Sequence, residues 1–258
     1  MYLDKLSLIN FKNIAQQEIA PCEGINCFVG DNGAGKTNFI DAFHYLSMGK
    51  SAFGMTDGQC VRTGESFFTL DGEYVTSEGR HEHIVCTFAR GNGKVLKRNG
   101  KVYERLADHV GLIPVVIVAP SDTMLIRDAA DERRRYINGF ISQIDREYLD
   151  ALMRYNAVLA ERNRFLKVSS DESMLEVYDA QLAAHGSKIH ARRTAVIDEL
   201  QPIVAEYYAR LSLDGETVNL RYRSELNERP LSELLAEYRQ PDILNQFTTT
   251  GVHRDDIV

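Results

Sequence analysis

No run of this 258-residue sequence approaches the ~20 apolar residues that a bilayer-spanning helix needs, and the opening Met1-Tyr2-Leu3-Asp4-Lys5 has no apolar signal core. The chain reads as a soluble cytoplasmic protein. Cysteine is sparse: Cys22, Cys27, Cys60 and Cys86 form no C-x-x-C pair, so neither a zinc site nor a structural disulfide is expected. Cys27 lies in an apolar run and reads as a small buried hydrophobe. Positive charge is not in excess. The 30 Lys and Arg are outnumbered by 37 Asp and Glu, giving a net charge of −7, so no global field draws the chain to nucleic acid. Any DNA contact must use local basic patches. There is no internal repeat and no low-complexity segment. What is present is an ordinary globular composition, 44% hydrophobic, enough for one large domain or two lobes.

The first 120 or so residues read as strands with one helix among them. Leu3 to Phe11 has the mixed pattern of a half-exposed strand. Ile25-Asn26-Cys27-Phe28-Val29 and Pro114-Val115-Val116-Ile117-Val118-Ala119 are short apolar runs that predict buried strands. Phe39, Ile40, Phe43 and Leu46 recur at helical spacing after Thr37. Between Phe67 and Val102, Asp71-Gly72 and Asn99-Gly100 predict hairpin turns. A helical stretch then runs from Asp131 to Lys167. Ser169-Ser170-Asp171-Glu172 predicts a capping box, with a hydroxyl at the cap and Glu172 reaching back. A second helix carries Leu175, Tyr178, Leu182, Ile189, Val196, Leu200 and Ile203, interrupted by His185 and Arg192, and Pro202 is expected to kink or end it. Together these predict an antiparallel helical hairpin. Thr217 to Arg223 alternates like a strand, a short helix follows near Leu231 to Arg239, and Ile257-Val258 reads as the start of a further strand.

One segment carries recognisable chemistry. Gly30-Asp31-Asn32-Gly33-Ala34-Gly35-Lys36-Thr37 fits G-x-x-x-x-G-K-[ST], with an apolar run before it and an amphipathic helix after it. Glycines let backbone N–H groups curl around phosphates, and the helix N-terminus adds partial positive charge. Lys36 is placed for the β- and γ-phosphates and the Thr37 hydroxyl for Mg²⁺. Such a loop binds but does not hydrolyse unaided, since hydrolysis needs a metal-holding Asp at the end of another strand. The one apolar run leading to an Asp is Pro114 to Ala119 before Asp122, and Pro120 and Ser121 intervene, so the match is poor.

These residues resemble the RecF family of bacterial DNA recombination and repair ATPases. The resemblance rests on Leu6 to Asn13, the loop Gly30 to Asn38, Leu46 to Ser51, and Ala119-Pro120-Ser121-Asp122 followed by Glu132-Arg133-Arg134-Arg135. It extends to Tyr155 to Lys167 and to Thr249-Thr250-Gly251-Val252-His253-Arg254-Asp255-Asp256. It implies an α/β fold: a P-loop ABC-type ATPase head, with a mixed sheet containing antiparallel hairpins, plus a helical second lobe, related to SMC heads. The expected division is 1–130 for the head, 131–212 for the helical lobe and 213–258 for a return toward the head. The resemblance implies ATP and Mg²⁺ as cofactors, binding to DNA at gaps and junctions, and action with RecO and RecR to load RecA. It also implies an ATP-dependent homodimer. The family continues past HRDD into signature, Walker B, D-loop and switch elements that are absent here. The sequence therefore resembles an N-terminal portion, expected to lack ATP-driven dimerisation and hydrolysis by itself. Val252 stands where the family usually has Pro.

The expected nucleotide contacts are Gly30, Asp31, Asn32, Gly33, Ala34, Gly35, Lys36, Thr37 and Asn38, with Lys12 and Asn13 added from the resemblance. DNA-binding candidates are Arg133, Arg134 and Arg135, then Lys94, Lys97, Arg98 and Lys101, with Arg162, Arg164 and Lys167 as a third cluster. Arg133 to Arg135 could instead tie the helical lobe in place. His253-Arg254-Asp255-Asp256 could hold a metal or supply a base, but reads better as a turn with Arg254 paired to an Asp. The alternatives are another SMC-like or overcoming-lysogeny-type ATPase and a small-molecule kinase. The hairpins between Phe67 and Val102 argue against the kinase, which would need a lid carrying arginines there.

Overall fold

The computed structural model describes residues 1–127, 130–212 and 215–258. The chain forms two compact units, Met1–Val118 and Ala119–Val258, so the division falls before the expected one at 130, and residues after 214 belong with the helices. No helix among the described residues is long and apolar enough to cross a membrane.

The first unit is built on a six-stranded sheet in the order β2-β1-β3-β4-β5-β6, with every pairing antiparallel. Its strands are β1 (Tyr2–Phe11), β2 (Ile14–Ile19), β3 (Phe67–Val75), β4 (His81–Ala89), β5 (Gly93–Arg98) and β6 (Lys101–Val102). Two helices belong to it, α1 (Lys36–Met48) and the single turn α2 (Asp57–Cys60). Alternation along the strands puts Leu6, Leu8, Phe68, Leu70, Ile84, Cys86 and Leu96 on one face, where Ala42, Tyr45 and Leu46 of α1 join them in a dry core. Phe11, Tyr45 and Phe68 meet edge to face at its centre.

Asn99-Gly100 makes the expected two-residue turn, both residues at positive φ. Asp71-Gly72 does not. It lies inside β3, where a Cβ on Gly72 would come within 2.9 Å of Leu46 Cδ1. That glycine serves the close approach of sheet and helix, and the actual turn is at Thr76–Arg80. Ile25 to Val29 and Pro114 to Ala119 are not strands either. Among the described residues no strand pairs with them to form a ladder, and Ile25, Val29, Val116 and Val118 are exposed. Cys27 is accordingly exposed rather than buried.

The second unit is mainly helical. Its elements are α3 (Met124–Arg127), α4 (Ala130–Ile144), α5 (Arg146–Phe165), α6 (Glu172–Leu211), α7 (Leu231–Glu237) and α8 (Arg239–Asn245), with a two-stranded ladder of β7 (Tyr222–Arg223) and β8 (Asp256–Ile257). The expected strand Thr217 to Arg223 contributes only its last two residues to that ladder. The helical run expected from Asp131 to Lys167 breaks at Asp145, whose carboxylate caps α5 by accepting from the Tyr148 amide at 2.9 Å. The cap of α6 is Asp171, not a hydroxyl, accepting from the Ser173 and Met174 amides. Helix α6 runs through Pro202 to Leu211. α5 and α6 pack as the predicted hairpin around Tyr155, Val158, Leu182, Ile189 and Val196.

Candidate nucleotide site

The loop Gly30 to Gly35 feeds directly into α1. Gly33 and Gly35 hold φ of 85° and 102°, a region that side-chain-bearing residues avoid. Gly35 is the helix N-cap and offers no side chain to it, and the first turn has no acidic residue. Asn38 and Phe39 amides return to the Gly35 carbonyl, while the amides of Gly35, Lys36 and Thr37 have no intrachain acceptor among the described residues. A helix that leaves its orphan donors and positive end open presents an anion site. The Lys36 ammonium lies 2.7 Å from both the Gly30 and Asp31 carbonyls, so it sits over the concave side of the loop. The Thr37 side chain is exposed in the first turn, where it can reach a metal beside bound phosphates. Phe28 stacks on Phe39 with ring centroids 5.5 Å apart, which ties the approach to the loop back onto α1.

The β1–β2 turn supplies the neighbouring wall, and its two candidates behave differently. Asn13 touches the loop: its Nδ2 donates to the Gly33 carbonyl at 2.9 Å, and its Oδ1 accepts from Asn38 Nδ2 at 2.6 Å. Lys12 does not. Its ammonium is 2.5 Å from Asp41, a fully buried carboxylate of α1 that also accepts from Ser51 Oγ and the Ala52 amide. Lys12 therefore balances a buried charge instead of facing the phosphates. Asp41 was missed from the sequence, although a carboxylate on the apolar face of an amphipathic helix is itself a signal.

The matching family model is described as an AAA domain and covers residues 5–207. The DNA replication and repair protein RecF of Parabacteroides distasonis is 42% identical over the whole chain, which spans 70% of that relative. The protein of the same name from Flavobacterium johnsoniae is 40% identical, again over the whole chain and 73% of the relative. This chain belongs to the RecF family. Among solved structures, that of the recombination mediator protein RecF with ATP in the RecFOR pathway matches 99% of this chain and 72% of its own, with a TM-score of 0.93 at 28% identity. An SMC head domain from Pyrococcus furiosus, solved with the C-terminal domain of ScpA, matches 90% of this chain and 69% of its own at 19% identity and a TM-score of 0.50; it agrees in fold alone.

The late RecF-family motif, Thr249 to Asp256, is bound into the helical unit. Thr249 and its neighbour Thr248 bond Asp242 and Asn163, and Thr250 bonds Glu225. His253 accepts from the Tyr155 hydroxyl at Nδ1 and donates from Nε2 to the Thr248 carbonyl, a neutral tautomer. Burial holds its pKa down to about 4, assisted by the nearby Arg254 and Arg134. Asp255 receives the buried Arg193 and the Tyr222 hydroxyl, and Asp256 receives Arg133 in a two-pronged pair. That guanidinium holds the Asp256 carboxyl below the usual range. The motif is thus the turn the sequence suggested, but among the described residues no Asp pairs with Arg254. It lies over the Phe247 ring and bonds the Thr249 carbonyl. No cluster of metal-binding side chains occurs among the described residues.

Most DNA candidates are already engaged. Arg133 is bound to Asp256 and the Leu125 carbonyl, Arg134 to Asp131 and the Asp255 carbonyl, and Arg135 to Glu132. Arg133 and Arg134 therefore tie α4 to the late motif. Lys94 bonds Asp57 and the Gly49 carbonyl at the C-terminal end of α1, and Arg98 forks onto Glu82. Arg162 is fully buried between Asp179 and Asp242. Lys97, Lys101, Arg164 and Lys167 remain exposed, with no charged partner among the described residues.

Proposed function

We propose that this chain binds ATP with Mg²⁺ on Gly30 to Asn38 and works as a DNA repair protein of the RecF kind. The observation that carries the reading is the loop itself. Three amides, an uncapped helix end and the Lys36 ammonium converge on one concave surface, in a chain with a 0.93 structural match to a RecF solved with ATP. Lys36 meets the β- and γ-phosphates, and the Thr37 hydroxyl is the protein ligand for Mg²⁺, whose contribution is to neutralise phosphate charge. Calorimetry of Mg²⁺-ATP against wild type and Lys36→Ala tests this. Binding by the wild type and its loss in the variant supports the site; affinities within about twofold of each other would refute it.

The same reading extends to DNA. In the cytoplasm the protein would engage gapped or junction DNA and act with RecO and RecR in loading RecA; the ATP-dependent pairing with a second copy implied for the family is not expected of these residues by themselves. The name of the relatives at about 40% identity, DNA replication and repair protein RecF, supports this. On this reading the basic residues offered to DNA are Lys97 and Lys101 on the β5–β6 hairpin, Arg164 in the last turn of α5 and Lys167 just beyond it; their exposure and lack of a charged partner among the described residues support it. Gel-shift titrations of gapped and duplex DNA at several salt concentrations test it. Binding that neither weakens with salt nor favours the gapped form would contradict it.

A further inference from the structure

We propose that Asn13 is a positioning residue for the phosphate loop, a clip that holds the loop's amides in their binding arrangement without itself touching nucleotide. The inference rests on the nucleotide reading above and deepens it.

Asn13 is offered from a rigid platform. The turn that carries it is pinned by the Lys12 amide to the Cys60 carbonyl and the Arg62 amide to the Asn10 carbonyl, each 2.8 Å, and by the Lys12–Asp41 pair. Asn10 and Lys12 both take positive φ, 55° and 53°, a conformation that persists only where surrounding bonds enforce it. From there the Asn13 amide reaches two places at once. Its Nδ2 holds the Gly33 carbonyl, while the N–H of that same peptide, on Ala34, closes on the Asp31 carbonyl at 3.2 Å. The peptide between Gly33 and Ala34 is therefore fixed at both ends. Its Oδ1 holds Asn38 in the first turn of α1. Between these anchors the chain passes so close that a Cβ on Gly35 would lie 2.8 Å from Asn13 Oδ1. One side chain thus joins loop, N-cap and helix. Its two bonds need both a donor and an acceptor, which an amide has and a carboxylate lacks.

A loop clip acts on the amides that cradle the α- and β-phosphates, so its removal must weaken ADP and ATP alike. Calorimetry of Mg²⁺-ADP and Mg²⁺-ATP on wild type, Asn13→Ala and Asn13→Asp, with thermal unfolding in the absence of nucleotide, makes the test. We expect Asn13→Ala to lose about tenfold in affinity for both nucleotides, the size of one or two ordinary hydrogen bonds. Asn13→Asp should lose more, because its carboxylate faces the Gly33 carbonyl. The nucleotide-free Tm should stay within about 2 °C of wild type, as Asn13 is exposed. A loss confined to ATP would place Asn13 on the γ-phosphate and overturn the proposal. Unchanged affinities, or a Tm several degrees lower, would overturn it too. If wild type binds neither nucleotide, or Lys36→Ala binds both as wild type does, the nucleotide reading fails first and takes this inference with it.

Discussion

The phosphate loop and the late motif are equally conspicuous as strings of glycine, hydroxyl and charged residues, yet they are built on opposite terms. In the loop, polar groups are held in place but left open: amides without acceptors, a helix end without a cap, an ammonium resting on carbonyls. In Thr248 to Asp256, most polar side chains are spoken for by the surrounding helices, and two of the arginines that meet the segment, Arg162 and Arg193, are buried. Among the described residues of that network, the buried side-chain atom left without a partner is Nη2 of Arg162. Open, oriented groups are what a ligand needs, whereas closed ones hold a fold together. The contrast fits the proposed binding role of the first segment and a bracing role for the second.

The largest effect that could break this comparison is on stability. Arg162→Ala leaves the buried Asp242 carboxylate without its cation and should destabilise the helical unit by about 3–5 kcal/mol in urea unfolding. A change below about 1 kcal/mol would show that the network is not structural. Acid should act next. His253 is held neutral in the folded protein, its pKa near 4, while an unfolded histidine takes up a proton near its ordinary 6.5. The unfolded state therefore binds the proton first as pH falls. The contribution is fully present above about pH 6.5 and is lost between there and about 4, up to about 3 kcal/mol in all. His253→Gln should flatten that part of the stability profile; an unchanged slope would count against the assignment. The smallest effects sharpen the division among the basic residues. Lys94→Met, which strips Asp57 of a partly buried partner, should cost about 1–3 kcal/mol and leave DNA affinity alone. The Lys97→Ala, Lys101→Ala double variant should stay within about 0.5 kcal/mol of wild type and lower the salt slope of DNA binding by up to about two. The reverse pattern would return Lys94 to the DNA candidates.

Much of this was readable beforehand, for reasons that differ by element. The loop was legible because its glycines are required by backbone geometry and its lysine and threonine by side-chain chemistry, all within eight contiguous positions. The helical hairpin was legible from periodicity. What lay hidden depended on partners distant in sequence. Gly72 looked like a turn because its true neighbour, Leu46, is on a helix 26 positions earlier. The apolar runs at 25–29 and 114–119 looked like strands because composition reports a preference for sheet, not the presence of a neighbour to pair with. The basic clusters looked like surface, since a sequence does not show which carboxylate meets which arginine. One signal was available and passed over. Leu175, Asp179, Leu182, Gly186, Ile189, Arg193 and Val196 of α6 follow a strict four-three spacing, and all are buried. Asp179 and Arg193 occupy seam positions, so their need for partners could have been inferred, whereas Arg192, taken as the interruption, lies beside the seam.

The comparison meets its most direct test in thermal unfolding of wild type, Lys36→Ala and Asp255→Asn, each with and without saturating Mg²⁺-ATP. The account predicts that wild type gains stability from nucleotide, that Lys36→Ala starts at the wild-type Tm and gains nothing, and that Asp255→Asn starts lower but gains as much as wild type. A Lys36→Ala protein still stabilised by ATP, or an Asp255→Asn protein with the wild-type Tm and no response to ATP, would contradict it.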